Sequence, residues 1–190
     1  MNAFKKLTPF LGIIAVLVVV IITALFAAQY IENSATAQVF VSNLGYVGVT
    51  IIAVVAGLNV ILPIPAFTLT PIFTAAGLGM TGIILALALG TLIADILGFL
   101  FGNWSREHIY KHYPKVIGFL EKIYIKKPHL IVPVIFLYAA FMPFPNEVLV
   151  IPLALLKVRL QVLIVPLFLG NIIHQAIYAY GMQGIFGWLF

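Results

Sequence analysis

The chain has 190 residues, of which 64% are hydrophobic and only 8% are charged. This composition excludes a soluble domain of that size and predicts an all-α, polytopic integral membrane protein built as a single membrane domain, residues 1–190. The net charge of +5 does not indicate nucleic-acid binding, because six of the ten basic residues lie in one loop.

The first predicted segment, residues 1–44, contains a transmembrane helix and a polar connector. Its apolar run has no charge before Glu32. The run is long enough to span a hydrocarbon core of about 30 Å, which takes roughly 20 apolar residues in a helix. A cleaved signal peptide is the alternative, because residues 35–37 resemble a cleavage site. A signal sequence has an apolar core of only about 7–15 residues. We therefore predict an uncleaved helix with a cytoplasmic N-terminus, then a polar connector over residues 31–44.

Residues 45–102 form the first predicted repeat. Pro63 and Pro65 interrupt its apolar sequence, and a proline inside a helix removes a backbone hydrogen bond. In a bilayer the freed backbone groups must find protein or water partners. We predict a re-entrant hairpin with these prolines at its tip, a turn at residues 77–79, and then a transmembrane helix over residues 81–102.

Residues 103–127 are predicted to be a cytoplasmic linker that contains an amphipathic surface helix. His108 and His112 lie in it without a third ligand, so no metal or other cofactor is predicted. Most basic residues of the chain lie here or just before the last helix, as expected for a cytoplasmic face. The predicted lipid-headgroup surface comprises Arg106, Lys111, Lys115, Lys126, Lys127, Lys157 and Arg159.

Residues 128–190 form the second predicted repeat, with a hairpin broken at Pro143 and Pro145 and a last span over residues 161–181. Both prolines lie 80 residues after those of the first repeat, and Gly90 has the same relation to Gly170. If each hairpin enters and leaves on one side, all basic clusters lie in the cytoplasm. The sequence therefore predicts an inverted-topology repeat with two re-entrant hairpins that meet near the midplane, as in many transporters.

Four motifs carry a family resemblance. They are Pro63-Ile64-Pro65, Ala88-Leu89-Gly90 followed by Asp95, Phe141-Met142-Pro143, and Gly170-Asn171. Over residues 45–181 the chain resembles the DedA family, also called the SNARE-associated Golgi protein or VTT-domain family. The resemblance implies a protein that moves lipids across membranes, including undecaprenyl phosphate and phospholipids in bacteria.

The chain departs from the family pattern at three charged positions. Phe67 stands where the family usually has a glutamate, and Ala140 stands where it usually has an arginine. The nearest match to a second family arginine is Asn146 or Glu147. Any coupling of transport to protons is therefore expected to depend on Glu147 and Asp95.

A carboxylate at membrane depth costs about 2.5–3.5 kcal/mol on insertion scales, and such residues usually serve a function. The alternative for Glu147 is a surface position paired with Lys157 or Arg159. For Asp95 the alternative is a helix-packing hydrogen bond to Thr91 or to a facing backbone group. The polar residues of the last helix either bind a headgroup or satisfy carbonyls freed by the prolines. The predicted substrate-binding residues are Glu147, Asp95, Asn146, Asn171, His174 and Gln175.

The sequence thus predicts a plasma-membrane transporter or flippase for a lipid or lipid-phosphate headgroup, without covalent catalysis. Its expected partners are membrane lipids with anionic or isoprenoid phosphate headgroups, and no nucleic acid. A homo-oligomer is compatible with this composition. The alternatives are a non-transporting membrane scaffold of the same fold and a transporter of a small solute or ion.

Overall fold

The computed structural model describes residues 2–58, 65–112 and 130–190, and all regular structure in these ranges is helical. Three of the described helices are long and apolar enough to cross a membrane by length and composition. The prediction of an all-α membrane protein is confirmed at this level. The helices are α1 (Asn2–Glu32), α2 (Ala35–Gly57), a 3-10 helix (Ala66–Leu69), α3 (Thr70–Ala75), α4 (Met80–His112), α5 (Ile131–Phe141), α6 (Glu147–Leu155) and α7 (Leu160–Leu189).

The connection between α1 and α2 is much shorter than the predicted connector over residues 31–44. Ser34 ends it, because its hydroxyl oxygen accepts a hydrogen bond from the Ala37 amide at 3.3 Å and so caps the next helix. The polar residues that follow are helical and largely exposed. The break lies instead at Gly45, which has φ 56° and ψ −164°, a conformation that glycine adopts readily.

Beyond Gly45, α2 packs along the first half of α4. The Tyr46 hydroxyl accepts a hydrogen bond from the Gly79 amide at 3.1 Å. Further along, Gly57 lies against Ala94. Residue numbers rise together along both helices at these contacts, so α2 and α4 are parallel, and α2 ends beside the middle of α4.

Two helix crossings depend on a glycine. A Cβ atom on Gly90 would lie 2.5 Å from the Cβ of Ala53, and one on Gly170 would lie 2.6 Å from the Cβ of Ala139. The backbones of α2 and α4, and likewise of α5 and α7, therefore approach more closely than any larger residue would permit.

The turns after α3 and after α6 have the same hydrogen-bond pattern. The Leu78 amide donates to the Phe73 carbonyl at 3.0 Å, and the Val158 amide donates to the Leu153 carbonyl at 3.1 Å. In both turns the preceding residue has positive φ, 86° at Gly77 and 60° at Lys157. Both are Schellman-type helix ends. The turn predicted at residues 77–79 is confirmed.

Two helices extend further than predicted. Helix α4 continues to His112, so residues 103–112 of the predicted linker belong to it. No proline occurs in residues 80–113, and the polar side chains of residues 103–112 are compatible with a helix. Helix α7 likewise continues past Gly181 to Leu189. The remainder of the linker, including Lys115, Lys126 and Lys127, and the first hairpin proline, Pro63, lie outside the described residues.

Helices α4 and α7 cross in the centre of the molecule. Thr91 contacts Gln175, and Asp95 contacts Asn171. Residue numbers rise along one helix as they fall along the other, so the two helices are antiparallel. Asp95 and Asn171 are nearly inaccessible to solvent, with 2% of each exposed. This crossing brings together three of the buried polar residues in the described part of the chain, Asp95, Asn171 and Gln175.

Candidate functional site

Asp95 is the centre of a buried hydrogen-bond network formed by three separate parts of the chain. Its Oδ2 atom accepts a hydrogen bond from Asn171 Nδ2 at 2.9 Å and from Asn146 Nδ2 at 3.0 Å. Asn146 Nδ2 also donates to Asn171 Oδ1 at 3.0 Å. These contacts join the middle of α4, the middle of α7 and the break between α5 and α6.

The prolines place Asn146 in this network. Helix α5 ends at Phe141, and Pro143 and Pro145 keep the chain out of a helix until Glu147. The Tyr138 hydroxyl donates to the Pro145 carbonyl at 3.3 Å, and thereby satisfies one backbone group freed by the break. The Asn146 side chain does not cap α6, and it is therefore available to Asp95.

Glu147 begins α6 and lies beside the same network. The residue is 7% exposed and is therefore buried. Gly98, one turn after Asp95 on α4, lies opposite it: a Cβ atom on Gly98 would be 3.4 Å from Glu147 Cγ. The two carboxyl groups thus share one side of α4.

A second polar pair lies one turn away on both long helices. Gln175 Nε2 donates to Thr91 Oγ1 at 3.0 Å, and Thr91 Oγ1 donates to the Leu87 carbonyl at 2.9 Å. The side-chain partners of Asp95 are therefore two asparagines, Asn146 and Asn171. Thr91, the alternative partner predicted for Asp95, instead accepts a hydrogen bond from Gln175. Gln175 is 4% exposed, and its Oε1 atom has no hydrogen-bond partner in the described part of the chain. We call Asp95, Asn146, Glu147, Asn171 and Gln175 the Asp95 cluster.

Three aromatic rings continue the polar face of α7. His174 and Tyr178 have ring centroids 4.5 Å apart, and Phe67 stacks on Tyr178 at 4.6 Å with an interplanar angle of 21°. Sequence analysis identified His174 and singled out Phe67, but missed Tyr178. Its position seven residues after Asn171, on the same helical face, was the available signal. We call Phe67, His174 and Tyr178 the aromatic cluster.

Phe67 reaches this region from the 3-10 helix of the first half, Ala66–Leu69. Pro65 precedes that helix, and its carbonyl accepts hydrogen bonds from the Thr68 amide at 3.0 Å and the Thr68 hydroxyl at 2.8 Å. The proline-containing segments of both halves therefore reach α7.

Three basic residues lie away from the Asp95 cluster, in a groove that the acidic residue Glu107 also lines. Arg106, Lys111 and Lys157 line this groove, between the end of α4 and the turn that precedes α7. Arg106 lies eleven residues after Asp95 on the same helix, which corresponds to about 16 Å at the rise of an α-helix. This groove and the Asp95 cluster are therefore at different depths of the molecule.

Comparisons with protein-family models, with curated proteins and with solved structures returned no match. The resemblance to the DedA family thus stays a prediction from short motifs.

Proposed function

We propose that the chain is a DedA-like membrane transporter that moves the polar headgroup of a lipid across the bilayer through the Asp95 cluster. The buried network around Asp95 is the observation that carries this proposal. Ionisable residues inside a membrane protein are costly, and they commonly mark substrate pathways. Here one lies where a broken helix meets two long helices, which is where many transporters bind their substrates.

The proposal includes two re-entrant hairpins. The part of α2 after Gly45 is about 18 Å long at 1.5 Å per residue, too short for a hydrocarbon core of about 30 Å. The hydrogen bond between Tyr46 and Gly79 brings the two ends of the first hairpin to one level. In the second half, Val132 and Val162 line the same apolar groove, which supports the same arrangement there.

An inverted repeat is the second architectural part of the proposal. Thr91 and Asp95 lie 80 residues before Asn171 and Gln175, respectively. Across the α4–α7 crossing, Thr91 contacts Gln175 and Asp95 contacts Asn171. If each residue is replaced by its equivalent 80 positions away, the first contact becomes the second and the second becomes the first. A two-fold axis produces this reciprocal relation, and antiparallel long helices agree with opposite orientations of the repeats.

In this mechanism the headgroup crosses at the Asp95 cluster while the lipid tails stay in the hydrocarbon. The groove lined by Arg106, Lys111 and Lys157 raises the local concentration of lipids with anionic groups at one surface. The hairpin breaks supply the polar backbone that a headgroup needs at mid-depth.

A vesicle assay tests the proposal. The purified full-length chain is reconstituted into phospholipid vesicles that contain lipids with a fluorophore on one acyl chain, and dithionite quenching reports movement between leaflets. We expect movement above that of protein-free vesicles, and its loss in Asp95→Asn. Glu32→Gln, which removes an exposed acid at the end of α1, is the matched control. No movement of any lipid would support the scaffold alternative.

A further inference from the structure

We propose that the Asp95 cluster and the aromatic cluster accept a primary ammonium group rather than a phosphate. This inference rests on the proposed function, since it specifies the headgroup that the transport site takes. The ammonium group has two sources, the headgroup of a lipid such as phosphatidylethanolamine or a free amine, and the experiment below distinguishes them.

The first argument is the sign of the charge. The sequence has no Lys or Arg between Lys6 and Arg106, none between Lys127 and Lys157, and none after Arg159. The segments that build the cluster therefore supply acidic residues and no Lys or Arg at its depth. A phosphate beside two carboxyl groups is repelled in a medium of low dielectric constant, whereas a cation is attracted.

The second argument is the type of hydrogen-bonding capacity that remains. The Nδ2 atoms of Asn146 and Asn171 both donate to Asp95 already. Within the described ranges, the buried side-chain atoms without a hydrogen-bond partner include an acceptor of this cluster, Gln175 Oε1, together with Thr70 Oγ1 and His174 Nδ1, which lie outside the Asp95 cluster. Gln175 lies one helical turn from Asn171, between the same two helices. A primary ammonium group offers three donors and no acceptor, and therefore complements this cluster.

The third argument is the aromatic cluster. His174 lies next to Gln175 in the chain, and its ring contacts that of Tyr178, on which Phe67 stacks. Aromatic faces attract ammonium groups, most strongly where water is excluded. Phe67 also lies 80 residues before Glu147. The two hairpins thus bring different groups to α4 and α7, a carboxylate and an aromatic ring, and both favour a cation.

Binding is tested first, by thermal unfolding of the full-length chain in detergent with ethanolammonium chloride, sodium chloride or sodium phosphate at equal ionic strength. We expect ethanolammonium to raise the midpoint temperature above that in sodium chloride, and phosphate not to do so. Asp95→Asn and Glu147→Gln should abolish the increase, and Glu32→Gln should preserve it. Phe67→Leu keeps the apolar volume but removes the ring, and should weaken apparent binding about tenfold.

Other outcomes overturn the inference. Stabilisation by phosphate but not by ethanolammonium would do so, as would equal effects of ethanolammonium and sodium. An ethanolammonium effect that persists in Glu147→Gln and Asp95→Asn would show that the amine binds elsewhere. Should either variant not fold, Phe67→Leu, which changes no charge, provides the decision.

Transport then separates this inference from the proposed function. Acyl-labelled phosphatidylethanolamine is compared with acyl-labelled phosphatidic acid in the same vesicles, and we expect the amine lipid to move faster. Faster movement of phosphatidic acid would overturn the ammonium inference and retain the transporter. If neither lipid moves but ethanolammonium still stabilises the wild-type chain, the site takes a free amine and the lipid-transport proposal fails.

Discussion

Asp95 illustrates how a carboxyl group is accommodated in an apolar interior. It accepts hydrogen bonds from amides that lie 51 and 76 residues further along the chain. Neutral amide donors satisfy its Oδ2 atom without adding a second charge, which limits the penalty of burying a polar group. The stability of the α4–α7 crossing should therefore depend on these amides.

Asn171→Ala tests this dependence. The substitution removes a donor to buried Asp95 and should lower the free energy of unfolding by about 1–3 kcal/mol. Asn43→Ala makes the same change at an exposed helical position and should alter stability by at most about 0.5 kcal/mol. Reversible denaturation in mixed micelles measures both variants. Equal effects would mean that Asn171 contributes no more than a surface residue.

At the scale of elements, each half of the chain contains one helix pair that crosses at a glycine. Gly90 lies against the backbone of α2, and Gly170 against that of α5. These contacts fix how far α2 and α5 extend along α4 and α7, respectively, and so they set where the segment after each helix begins. The crossing of α5 and α7 therefore positions Asn146 beside Asp95.

Gly170→Val should destabilise the protein by about 1–3 kcal/mol, because overpacked contacts force the backbones apart. The expected secondary effect is loss of lipid movement, since Asn146 would shift away from Asp95. Gly181→Val, on the same helix but with nothing within 4 Å of the added Cβ, is the matched control. If both variants have the same stability, the close approach of α5 to α7 is not required.

The paired turns after α3 and α6 offer a test with opposite signs. Gly77→Ala places a side chain at positive φ, and should cost about 1 kcal/mol of unfolding free energy. Lys157→Gly removes one from the same conformation, and should raise stability by a similar amount. Thermal unfolding of both variants measures the difference. A stabilising effect of Gly77→Ala would contradict the left-handed backbone at this turn.

At the scale of the whole molecule, the proposed architecture assigns each end of the long helices to one side of the membrane. The start of α4 and the part of α2 before Gly45 should lie on one side of the membrane. The end of α4 and the start of α7 should lie on the other side. The natural chain contains no cysteine, so single cysteines report their positions without background.

Cysteines replacing Asn43 or Thr81 should react with an impermeant maleimide from one side of sealed vesicles. Cysteines replacing Asn103 or Arg159 should react only from the other side. All four positions are exposed. Reaction of the first pair from opposite sides would mean that the chain between them crosses the membrane, and the hairpin proposal would be wrong.

The helical fold and the position of one helix break could be predicted from the sequence, because their signals are local. A proline lacks its amide hydrogen in any context, so the break around Pro143 and Pro145 was predictable. The end of α4 was not, since a polar segment continues a helix as readily as it ends one. The partners of Asp95 could not be predicted either, because they come from segments that are distant in the chain, and the sequence pattern does not show which distant segments meet in space.

The two halves differ in the length of chain between the glycine crossing and the prolines that follow it. Twelve residues separate Ala53, at the first crossing, from Pro65, whereas six separate Ala139, at the second, from Pro145. In the proposed inverted repeat, an insertion or deletion between α2 or α5 and the prolines that follow it leaves both glycine crossings in place. Alignment of the two halves therefore requires a gap in this interval, and ungapped searches for internal duplication in similar chains will register only the segments after the prolines.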